Sequence, residues 1–109
     1  MSKEKTQQEL LLQEQLFKAL KTNDTELNAK ISRACEDITE SVIDLSNDQS
    51  PTAESLYISY MALADLNTKD LAKVTTIIKN SFPGDKNKEL REIIDAPLLQ
   101  NLVMAEAIE

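Results

Sequence analysis

Gly84 is the only glycine in a chain of 109 residues. Average usage is about 7%, and the tight turns of hairpin-built sheets depend on residues that accept positive φ. What remains is dominated by Leu, Ala, Ile, Glu, Lys, Gln and Thr in helical spacing. No run of residues alternates in the manner of a strand, and no repeat recurs along the chain. An all-α fold is expected, a compact bundle of five or six short-to-medium helices in a single domain. Its core should be built by residues 3–82, followed by a helical segment over 85–109.

The helices can be placed from caps and apolar spacing. Residues 3–22 form a first helix with Leu10, Leu12, Leu16, Phe17 and Leu20 on one broad side and Leu11 off it. Asn23, Asp24 and Thr25 are adjacent N-cap candidates, and Asn23 with Glu26 has the spacing of a capping box. The second helix, running to about Ser46, carries the cleanest stripe: Leu27, Ile31, Ala34, Ile38, Val42 and Leu45. Ile43 falls off that arc, toward the acidic side. Ser50 followed by Pro51 reads as cap and first turn of a third helix. From Glu54 to Leu66 the apolar residues surround the wheel, so this helix is expected to be central and contacted from several sides.

A break at Asn67 or Thr68 is expected before a fourth helix bearing Leu71, Val74, Ile78 and Phe82, because one unbroken helix to Ser81 is long for a small domain. Pro83 and Gly84 should terminate that helix, glycine supplying left-handed C-terminal geometry. A short fifth helix over about 86–95 presents Leu90, Ile93 and Ile94. Pro97 then opens a last, strongly apolar segment.

Composition limits the chemistry. The chain has no histidine, which removes the commonest general acid/base and a leading metal ligand. Carboxylate sites in helix bundles usually include a histidine. The stretch beginning at Asp44 also lacks the glycine and twelfth-position carboxylate of a calcium loop. Neither a metal nor a cofactor is expected. Cys35, the lone cysteine, borders the apolar arc beside Glu36 and Asp37, a setting for a small core residue rather than a thiolate nucleophile. Tyr57 and Tyr60 read as packing groups, and the phosphate-cradling loop and nucleophile-elbow motifs are missing. A non-enzymatic protein is expected. With one cysteine, no secretory leader pattern and no apolar run of membrane-spanning length, a cytoplasmic location is expected.

Net charge is −7, which disfavours direct binding of nucleic acid. Residues 23–50 carry seven acids and two bases. Glu36, Glu40, Asp44 and Asp48 recur every four residues opposite the apolar stripe, forming an acidic ridge. Such a ridge is either a solvated outer face or a contact surface for a basic partner. The last segment is richer still in apolar residues: Leu98, Leu99, Leu102 and Val103 can dock on the body, leaving Met104, Ala107 and Ile108 toward another side. These observations favour a protein-binding role, as an adaptor, assembly factor or chaperone-like subunit, with residues 98–108 engaging a protein partner or a second copy. The alternative is a small acidic inhibitor whose ridge occupies a basic, nucleic-acid-binding surface of its target.

Overall fold

The first chain reversal is built from polar side chains. Asp24 caps the second helix, its Oδ1 accepting from the backbone N–H groups of Glu26 and Leu27 at 3.0 and 3.1 Å. Asn28 reaches back six residues: its Nδ2 donates to the Thr22 carbonyl at 2.9 Å, and its Oδ1 accepts from the Thr22 N–H at 2.7 Å. The cap is therefore Asp24, not Asn23, and Asn28 clasps the turn from inside the helix.

The computed structural model describes residues 6–47, 53–66 and 71–108, with side chains described at all of these except 53, 97, 98 and 105–108. Six α-helices are present among them: α1 (Gln7–Leu20), α2 (Thr25–Ser46), α3 (Ala53–Ala64), α4 (Leu71–Ser81), α5 (Lys88–Ile94) and α6 (Pro97–Ile108). No strand occurs among the described residues. Thr6 caps α1 through its Oγ1, which accepts from the Glu9 N–H, so the helix begins later than its apolar spacing suggests. The expected caps Ser50, Asn67 and Thr68 lie outside the described residues. α3 and α4 are nevertheless two helices, since α3 ends at Ala64 and is followed by a turn.

α1 packs on α2 and α4, α2 on α3, and α3 on α4, closing a ring. α6 lies against both α3 and α4, and α5 against α2 and α4. The body measures 37 × 35 × 22 Å, about two helix diameters thick. One core cluster joins Leu12 and Leu16 of α1 to Ile31, Ile38 and Val42 of α2, and extends through Leu56, Tyr60, Leu63, Leu71, Val74 and Ile78. Leu90, Ile94, Leu99 and Val103 belong to the same cluster. The segment after Gly84 thus completes the core. None of the helices among the described residues is long and apolar enough to cross a membrane.

Polar side chains tie the layers together. Ser41 on α2 shares hydrogen bonds with Ser55 and Ser59 on α3 at 2.9 and 3.4 Å. The Tyr60 hydroxyl meets Thr75 Oγ1 at 2.9 Å between α3 and α4. Gln100 Nε2 donates to the Ile94 carbonyl, joining α6 to α5.

Gly84 plays a different part from the one its sequence context suggests. Its φ of 93° and ψ of 164° are not those of a left-handed helix cap but of an extended region nearly exclusive to glycine. It stands immediately before a 3-10 turn, Asp85–Asn87, that leads into α5. Arg91 holds this corner by donating from Nη1 to the carbonyls of Phe82 and Gly84 at 2.7 and 2.8 Å. A Cβ at position 84 would meet nothing within 4 Å, so the cost of Gly84→Ala is backbone strain alone. The variant is expected to lose about 1–3 kcal/mol, read as a lowered urea midpoint with an unchanged slope.

Candidate interaction surface

The C-terminal candidates divide by their place on α6. Leu99 and Val103, one turn apart, are buried against the body. Their burial removes them from the accessible surface, so they hold α6 in place instead of meeting a partner. Leu102 is half-buried, and Met104 is 59% exposed. The side chains of Leu98, Ala107 and Ile108 lie outside the described residues.

The acidic ridge does not stay on one face. A helix turns once per 3.6 residues, so each four-residue step overshoots by about 40°. Glu36 and Asp44 are consequently half-buried at opposite edges, with Glu40 exposed between them. Asp48 lies outside the described residues. Arg33 and Lys30 are exposed about one and two turns before Glu36 on the same helix. Two cations therefore interrupt the acids of the outer side of α2, between Glu26 in its first turn and Asp37 and Glu40 in its second half.

α3 departs most from expectation. Leu56, Ser59, Tyr60 and Leu63 are buried, but Ile58 is 58% and Met61 40% exposed. The helix is contacted by α2, α4 and α6, as its apolar wheel predicts, but one arc is left exposed. Glu54 lies one turn before Ile58 and Asp65 one turn after Met61, both exposed. Those two carboxylates were the available sign of an outward face, because charges seldom occupy a buried arc. Leu10 likewise leaves its expected stripe, at 54% exposure beside the exposed Leu11. The arc that α1 actually buries runs through Glu9, Leu12, Leu16 and Leu20.

Beside α3 runs a groove of about 320 Å³, shared with α2. Ala29, Ala34, Ala62 and Leu66 give it apolar walls, and Lys30, Arg33 and Asp37 give it a charged rim. Ile58 lies one turn before Ala62 on α3 and is exposed next to the groove without lining it. Among the described residues, neither Lys30 nor Arg33 forms an ion pair within the chain.

Reactive groups are withdrawn from this surface. Cys35 is buried in the core, and burial pushes its thiol up to about 12. Burial also pushes the Tyr60 phenol up to about 12, with the Thr75 hydrogen bond opposing the shift and the Asp95 charge adding to it. Among the described residues, no group of three or more Cys, Asp or Glu side chains is placed to hold a metal ion. The buried Thr39 hydroxyl finds no hydrogen-bond partner among them.

The chain is similar to a segment of longer rickettsial proteins. It is 93% identical over all 109 of its residues to an uncharacterized protein of Rickettsia conorii (strain ATCC VR-613 / Malish 7), of which it spans 16%. It is 68% identical over the same residues to an uncharacterized protein of Rickettsia prowazekii (strain Madrid E), of which it spans 18%. The chain therefore covers about one-sixth of the length of these curated relatives. No family model matches it, and no solved structure does.

Proposed function

We propose that this chain is a non-catalytic protein-docking unit, whose contact surface is the outer face of α3 with the adjoining α2/α3 groove. The observation that carries this reading is the exposure of Ile58 and Met61 beside a preformed apolar groove. A large aliphatic and a thioether side chain in water, next to apolar walls, gain by being covered. Met104 is also exposed, on the helix that packs against α3. In relatives about six times as long, a unit of this kind has the remainder of its own chain, as well as separate proteins, to engage.

The acidic-ridge alternative has less support. Glu36 and Asp44 are half-buried, and Lys30 and Arg33 interrupt the negative surface on the same helix.

A photo-crosslinking amino acid placed at position 61 tests the reading in rickettsial extract. Adducts with polypeptide are expected at 61, absent from a probe at the exposed Lys88, and lost when Ile58→Asp is added. Absence of adducts, or adducts indifferent to Ile58→Asp, would refute this surface.

A further inference from the structure

We draw no further inference here: the strongest candidate, the uncharged groove between α1 and α4 lined by the amides of Gln8, Gln15 and Asn80 together with Leu11 and Ile77, is an unpartnered surface, and nothing in the structure shows what covers it.

Discussion

Ile38→Ala is expected to cost about 2–5 kcal/mol of folding stability, out of a total of about 5–15 kcal/mol for a domain of ordinary size. Ile38 lies near the middle of α2 and is fully buried in the core cluster. α2 is in turn the helix on which α1, α3 and α5 pack. Truncation removes three carbons from a fully buried site and leaves a void, which neighbours anchored on several helices cannot collapse to fill. Leu10→Ala removes the same number of carbons from a residue 54% exposed, and its expected effect stays within about 0.5 kcal/mol. Urea denaturation of the two variants reads the contrast directly as a difference in midpoint. Equal losses would mean that the core is not centred on α2.

The contrast also shows where sequence reasoning reached and where it stopped. The α2 stripe was legible because a helix of 22 residues repeats its pattern over six turns. Ile31, Ala34, Ile38, Val42 and Leu45 are all buried as their spacing required. Leu10 and Ile43 were misplaced because a helical wheel gives direction without saying how many neighbours surround a helix. α2 has neighbours on several sides, so burial widens to include Ile43, Thr39 and Ser41. The start of α1 leaves Leu10 outside.

α3 carried a conflicting signal. Its apolar residues circle the axis, which predicts contact from several sides and is matched by α2, α4 and α6, while Glu54 and Asp65 mark one arc as outward. The carboxylates are the better guide, because charged side chains seldom occupy a buried arc whatever the composition of the rest of the wheel. The α6 residues divided as their spacing allowed, with Leu99 and Val103 inward and Met104 outward. Gly84 was located as a boundary, but its ψ could not be inferred from residue type: glycine is permitted at positive φ over a wide range of ψ. Asn28, which closes the first turn from within α2, had no local signature at all.

Alkaline pH should unfold this protein through two groups that the fold keeps neutral. Burial pushes Cys35 from 9.0 up to about 12, and burial is also the main reason that Tyr60 rises from 10.0 to about 12. Both side chains are uncharged when protonated, and both bind their proton more tightly in the folded state. Their contribution to stability is therefore complete below pH 9 and is lost as the pH climbs through the folded values. Between pH 9 and 10 only the unfolded thiol titrates, and stability should fall by about 1.4 kcal/mol per pH unit. Above pH 10 the unfolded phenol joins it, and the slope should approach about twice that. Cys35→Ala removes the first contribution while leaving the second. Its urea midpoint should hold level from pH 9 to 10 relative to the parent, and the alkaline decline should begin a unit later. The rising negative charge of the whole chain acts on both proteins alike, so the difference between their curves isolates the thiol. Parallel curves for parent and variant would show that Cys35 ionises in the native state, and that the α2 stripe is open to water at its centre.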